Sequence, residues 1–188
     1  MSRHQPVPAD AAAAALRAGG IVAHPAEAVW GLACDPTNEA AVLRLLALKR
    51  RGVDKGLILV AGSIGQLDAF VDWDAMPDSA RAQVLAAWPG PNTWIVPATA
   101  AAPAWIRGVH AGVAVRVSAH PPVVALCAAF GGATVSTSAN HAGARPPRGI
   151  ADLDPAILDA VDAVLDGDTG GLDRPTGIRD ALTGAAVR

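Results

Sequence analysis

Residues 46–61 read LALKRRGVDKGLILVA, and the change of character along this stretch decides the fold. Its opening closes a helical pattern from Thr37 to Arg50, in which Val42, Leu45, Leu46 and then Lys49 fall along one stripe at helical spacing. Its end, LILVA at 57–61, is an unbroken apolar run of the kind a strand shows when both its faces are covered. A helix handing over to a buried strand through a short cationic loop is one repeat of an α/β alternation, and the alternation continues outward. Upstream, Asp10 followed by AAAAALRAGG reads as a helix capped by the Asp side chain and stopped at Gly19 or Gly20. IVAHP then reads as a strand ended by Pro25, and PAEAVWGLACDPTN as strand and loop around Gly31. Downstream, SIGQLDAF and SARAQVLAAW read as helices, the second stopped by WPGP at 88–91. TWIVPA and GVAVRVS read as strands, HPPVVALCAAFG as a helix, and ATVSTSAN as a strand running into a hydroxyl-rich loop. A helix near 150–160, a strand at VDAVLD and a terminal strand at LTGAAVR complete the reading. Strands interleaved with helices predict an α/β or mixed α+β fold, a twisted open sheet with flanking helices. With no repeat, heptad or linker, residues 1–188 are expected to form a single domain.

Composition narrows what such a domain does. Fifteen Lys and Arg against seventeen Asp and Glu give a net charge of -2, which excludes a globally basic nucleic-acid coat, so any anion site has to come from local clustering. Cys34 and Cys127 lie far apart without a CxxC pair, which gives neither a disulfide framework nor a zinc signature; no metal site is expected, and a reduced compartment is. No stretch approaches the roughly 18 apolar residues of a membrane span, so a soluble, cytoplasmic protein is expected. Aromatic residues make up 4% with no tyrosine, which argues against a stacking platform for single-stranded nucleic acid.

The clustering occurs in RLLALKRRGVDK, where Arg44, Lys49, Arg50, Arg51 and Lys55 stand against one acid, Asp54. Cations at a helix end also complement the macrodipole. Here, however, Lys49 lies along the apolar stripe and Lys55 leads into a buried strand, which gathers the charge near a strand end. Polyphosphate recognition uses such a cluster, with Arg as a forked donor and Lys as a movable point charge. The second constellation is TVSTSAN, where Ser136, Thr137, Ser138 and Asn140 follow an apolar strand. Short polar side chains beyond a strand end can hold phosphate or ribose oxygens, or simply bond their own backbone in a turn. Arg116, inside GVAVRVS, needs a carboxylate or phosphate if its face is buried, and a substrate carboxylate would serve. Glu27 reads as a hydrogen-bonding residue of its turn. His24, His110, His120 and His141 share no ligand spacing and read as structural or exposed, and the five tryptophans as core or cleft wall. No GxxxxGK[ST], GxGxxG or GxSxG element occurs, which removes the commonest nucleotide and hydrolase templates.

Taken in order, these pieces resemble the YrdC-like domain of the threonylcarbamoyl-AMP synthase family. HPAEAVWGLACDPTN resembles its proline-threonine-glutamate segment, LALKRRGVDKGLILVA its K-x-R element, AVRVSAHPPVVAL its arginine strand, VSTSAN its S-x-N element and IRDALTGAAVR its closing segment. The likeness runs from about Gly20 to the last residue and is nearest to the short bacterial form. It implies an enzyme that uses L-threonine, bicarbonate or CO2, and ATP to make threonylcarbamoyl-adenylate and pyrophosphate. That product is the first intermediate of the t6A modification of tRNA. By resemblance, Lys49 and Arg51 form the K-x-R pair and Ser138 and Asn140 the S-x-N pair, all four in catalytic positions that hold ATP phosphates and carbamate. Lys55 and Arg188 match further ATP contacts, and Arg116, Ser136 and Thr176 match positions that hold threonine. Magnesium would arrive with ATP, and a tRNA-modification transferase and tRNA itself are the implied partners, without a membrane.

The sequence departs from the family at several points. Ala26 replaces the usual threonine, Gly52 a proline, Trp30 a smaller aromatic, and Val60 a histidine frequent in longer relatives. Both the K-x-R and S-x-N pairs are present, which favours the synthase over paralogues that lose them. The competing expectation is a non-catalytic module that binds structured RNA in the same basic cleft. About five cations would give such binding a log-log salt slope no steeper than roughly -4 to -5.

Overall fold

The computed structural model describes residues 5–174 and 176–187. Eight strands form one sheet: β1 (Val22–Pro25), β2 (Trp30–Ala33), β3 (Ile58–Ala61), β4 (Asn92–Pro97), β5 (Gly112–Val117), β6 (Thr134–Ser138), β7 (Ala163–Val164) and β8 (Gly177–Asp180). Their order is β7-β1-β2-β6-β3-β5-β4-β8. The pairs β1/β7, β3/β5 and β4/β8 run parallel; the pairs β1/β2, β2/β6, β3/β6 and β4/β5 run antiparallel. The sheet is therefore mixed, and the crossovers that parallel neighbours demand are supplied by the helices α1 (Ala9–Arg17), α2 (Glu39–Lys49), α3 (Asp78–Ala86), α4 (Ala104–Arg107), α5 (Pro121–Phe130) and α6 (Pro155–Ala160). None of the helices among the described residues is long and apolar enough to cross a membrane.

Both faces of the sheet are covered because successive side chains alternate between them. Ala23, Leu32, Leu59 and Val115 join Leu45 and Leu46 of α2 and Ile106 of α4 in the larger core. Their neighbours Val22 and Ala33 turn the other way and meet Ala12, Ala13 and Leu16 of α1 with Leu126 of α5. Val60, on that second face, packs with Ala26 and with Val123 and Cys127 of α5. Register sets Val60 opposite Arg116, and Ile58 opposite both Ala114 and Ser136. The row through Ile58 is thus the next row of the same face, one step toward the N-terminal ends of β3 and β5. There α5 no longer covers the sheet, and a hollow is left.

Most of the expected elements form, with instructive exceptions. SIGQLDAF gives only a 3-10 turn at Ile64–Leu67, and α4 was not expected. Asp10 sits inside the first turn of α1; Pro8 occupies the cap position, without a side-chain hydrogen bond, and Gly19 takes the left-handed stop at φ 79°. The last strand is GIRD, not LTGAAVR: residues 181–183 turn, and Ala186 bridges back to Arg179. The expected helix near 150–160 divides into a 3-10 turn and α6, whose N-cap Asp154 accepts from Ala156 N at 2.8 Å.

The end of α2 shapes one rim of that hollow. Asn38 caps the start of the helix by accepting from Ala41 N, and Arg50 ends it in the left-handed conformation at φ 53°, ψ 45°. Arg50 N and Arg51 N then return to Ala47 O and Leu46 O, each at 3.0 Å. This reversal lets Lys49, the last helical residue, and Arg51, the first beyond the cap, serve one hollow while Arg50 stays exposed. A side chain at Arg50 carries the left-handed penalty of about 1–2 kcal/mol that glycine avoids. We therefore expect Arg50→Gly to raise the unfolding free energy by about 0.5–1 kcal/mol and β-branched Arg50→Val to lower it by at least about 1 kcal/mol. Both are read as shifts in urea midpoint at constant m-value.

Candidate active site

The uncovered sheet face opens into a cleft of about 1080 Å³. Its floor is the row Ile58, Ala114 and Ser136 with Arg116 beside it, and Ala26, Glu27 and Gly31 enter from the β1–β2 side. Lys49 comes from the end of α2, Arg51 and Lys55 from the loop and 3-10 turn that follow it, Ser138 and Asn140 from the end of β6, and Thr176 from the segment before β8. The cleft therefore gathers every sequence-predicted site residue except Arg188, which lies outside the described residues. Among the described residues its lining has the basic side chains Lys49, Arg51, Lys55, Arg107 and Arg116 against the acids Glu27, Asp72 and Asp180.

Lys49 is 3% exposed, and its ammonium is directed at backbone, donating to Ser138 O and, at 2.8 Å, to Asn140 O. Two further bonds tie the same segments: Ala142 N to Lys49 O at 2.9 Å, and His141 Nδ1 with Leu48 O at 2.9 Å. The Asn140 side chain donates to His141 O and Ala144 O at 2.9 and 2.7 Å, which fixes its amide within the turn. Burial, reinforced by the neighbouring Arg51 guanidinium, lowers the Lys49 pKa to about 8. Arg51 donates to Gly56 O at 2.9 Å and so folds its own loop toward the cleft.

The other end is built around Arg116, which is buried as its apolar surroundings required. Its carboxylate partner is Glu27, with Nη2 at 3.2 Å from Oε2, so the residue read from sequence as a hydrogen bond of its turn is half of a buried ion pair. Nη1 donates to Thr176 Oγ1 at 2.8 Å, and Ser118 Oγ donates to Glu27 Oε1 at 2.7 Å. The segment leading to Thr176 is laid on Glu27 by Gly170 N to Ala26 O and Leu172 N to Glu27 O, each at 3.0 Å. The approach at Gly170 is close: a Cβ there would stand 3.0 Å from Glu27 O and 3.2 Å from His120 Nδ1, so a larger residue would have to push its neighbours back.

Several side chains fall elsewhere than sequence suggested. Arg44 leaves the cationic cluster: five residues before Lys49, it stands about 140° around the helix and pairs with Asp162 at 2.8 Å. None of the tryptophans lines the cleft; Trp30, Trp88 and Trp94 are buried in the core. His24 is buried, and burial lowers its pKa to about 4, so it stays neutral. The thiols offer no nucleophile, since burial raises Cys34 to about 12 and Cys127 to about 11. Among the described residues no group of three His, Cys, Asp or Glu side chains converges as a metal cage. Sequence reading missed Arg107 and the pairing role of Glu27. Nothing in AWIR marks the first, and the second depends on a contact across 89 residues of chain.

The family model for Sua5, YciO and YrdC, described as "Telomere recombination", matches residues 14–187. A protein of Xanthomonas euvesicatoria pv. vesicatoria named threonylcarbamoyl-AMP synthase is 59% identical over 179 residues, 95% of this chain and 96% of that protein. The crystal structure of P. abyssi Sua5 complexed with L-threonine has a TM-score of 0.82 at 28% identity; the match covers 92% of this chain and 50% of that one, so this chain spans about half its length. E. coli YciO, at 20% identity and TM-score 0.75 over 95% of this chain and 89% of its own, shares the fold. With residues 14–187 matched by the family model and 59% identity to the Xanthomonas protein over 95% of this chain, the chain belongs to the Sua5, YciO and YrdC family of YrdC-like proteins.

Proposed function

We propose that this chain is a nucleotidyltransferase that makes threonylcarbamoyl-AMP from L-threonine, bicarbonate or CO2, and ATP, releasing pyrophosphate, as the first step of t6A modification beside the tRNA anticodon. The observation that carries the reading is one cleft that unites two unlike ends, a cluster of cations and a buried arginine–carboxylate pair. Lys49, Arg51 and Lys55 stand beside the S-x-N turn at one end, and Arg116 with Thr176 at the other. The name of the Xanthomonas relative and the threonine bound to P. abyssi Sua5 support the same reading.

The chemistry explains why both ends are needed. Threonine's amine attacks the carbon of CO2 and loses a proton to give a carbamate. A carbamate oxygen then forms a bond to the α-phosphorus of ATP as the bond to the leaving pyrophosphate breaks. An anion must approach a polyanion, so positioning and charge neutralisation dominate the barrier. Lys49, Arg51 and Lys55 receive the triphosphate, with Ser138 and Asn140 where phosphate and carbamate meet. Arg116, Ser136 and Thr176 orient the amino acid at the far end, and Arg188 belongs to the nucleotide side by family resemblance. The positive field of the cleft is part of this proposal, as is magnesium, which enters as the counter-ion of ATP. Ala26 removes a hydroxyl from the wall and places apolar surface next to Val60. The product is a mixed anhydride, which suits direct transfer to a tRNA-modifying transferase.

Purified protein with L-threonine, bicarbonate, ATP and Mg2+ is expected to release pyrophosphate only when threonine is present. Arg51→Ala and Ser138→Ala should lower kcat/KM by at least about a hundredfold while keeping the wild-type circular-dichroism spectrum. Pyrophosphate release that ignores threonine, or survives Arg51→Ala, contradicts the assignment. The protonated Lys49 is the form that neutralises phosphate, and its pKa is lowered to about 8. kcat/KM for ATP should therefore fall as pH rises through about 8, and a profile flat to about pH 9.5 would remove Lys49 from this role.

A further inference from the structure

The two ends of the cleft differ in one respect that bears on how its substrates are told apart. Lys49 and Lys55 form no ion pair with any described acidic side chain, whereas Arg116 is neutralised by Glu27. Resting on the proposed synthase reading, we infer that Glu27 is a specificity-determining residue: it reserves the Arg116 end for the zwitterion of an amino acid and keeps phosphate away from it.

The physical problem is that a guanidinium does not choose among anions. Its fork matches phosphate as well as carboxylate, and this cleft would hold triphosphate and pyrophosphate within reach of Arg116. A buried Arg116 standing alone would be a second phosphate site. The Glu27 carboxylate, 3.2 Å away and itself only 7% exposed, makes the pair net neutral. A phosphate arriving at Arg116 meets that carboxylate in surroundings that screen it poorly. A zwitterionic amino acid meets no such repulsion: its carboxylate faces Arg116, its ammonium faces Glu27, and neutral adds to neutral without stranding a buried charge.

Glu27 is held for this task from three sides. Ser118, just past the end of β5, donates to Oε1 at 2.7 Å, and the Ser118 hydroxyl in turn accepts from His120 N at 3.0 Å at the start of α5. Leu172 N fixes the Glu27 backbone through its carbonyl at 3.0 Å. Thr176, carried by that same segment, accepts from Arg116 at 2.8 Å, so guanidinium and carboxylate are aimed by a shared frame before any substrate arrives. Both residues line the cleft.

The test uses the threonine-dependent pyrophosphate assay with inorganic phosphate as inhibitor. In the wild type, phosphate should compete with ATP and not with threonine. Glu27→Gln keeps the size and removes the charge, so KM for threonine should rise about tenfold, phosphate should become competitive with threonine, and KM for ATP should change less than about twofold. Glu27→Asp keeps the charge and should restore exclusion of phosphate even where its shorter reach raises KM for threonine. A folded Glu27→Gln with unchanged threonine KM, or phosphate competing with threonine already in the wild type, overturns the inference. Should Glu27→Gln not fold, the wild-type inhibition pattern together with Glu27→Asp decides. Wild-type release that ignores threonine would instead overturn the synthase reading itself, an outcome scored before any variant is measured.

Discussion

The ammonium of Lys49, buried and donating to the carbonyls of Ser138 and Asn140, joins segments that lie 89 and 91 residues apart in the chain. A charge withdrawn from water has to be compensated by hydrogen bonds, and a lysine at the end of an apolar helical stripe has few places to find them. The turn after β6 supplies two, and Ala142 N and His141 add ties of their own. The K-x-R and S-x-N elements are thus one structural unit. The helix cannot move without carrying the turn, and the hydroxyl and amide of that turn keep their places relative to Arg51 and Lys55.

The rest of the cleft comes from sheet geometry. Two-residue alternation puts Ile58, Val60, Ala114, Arg116 and Ser136 on one face, and α5 covers that face only as far as the Val60 row. The covered part explains two departures from the family pattern together: Ala26 and Val60 touch the same apolar cluster with Val123 and Cys127, so an apolar residue at each suits the other. The bare part opens into the cleft. Gly52 has φ -65°, where proline would also sit, so its loop keeps the path a proline would impose while lacking the stiffness.

Much of this architecture is legible in the chain. The apolar run at 57–61 identifies a doubly covered strand, and the helical spacing of Val42, Leu45, Leu46 and Lys49 identifies the stripe that buries Lys49. Both are local signals read at one period. The features that escape a linear reading depend on partners distant in sequence. Arg44 and Lys49 look like one cluster along the chain, and only the helix turn separates them. Arg116 shows its need for a carboxylate, but valines on either side of it do not say which; Glu27 reaches it because the loop after β1 lies over the sheet face that carries Arg116, with Ala26 packed on Val60, the register partner of Arg116. The terminal strand falls at GIRD, which is polar and alternates, with a burial pattern set by its pairing to β4, while residues 181–183 turn beyond it and Ala186 bridges back to Arg179.

We propose that one hollow seats a triphosphate at the Lys49 end and an amino acid at the Arg116 end, with the reacting atoms between. A crystal structure of the protein soaked with L-threonine and a non-hydrolysable ATP analogue tests it most directly. Both ligands are expected in the same cleft, phosphates against Arg51 and Lys55, the threonine carboxylate on Arg116, and the amine beside Glu27 on the side open to the α-phosphorus. A nucleotide bound on another face, or threonine away from Arg116, would contradict it.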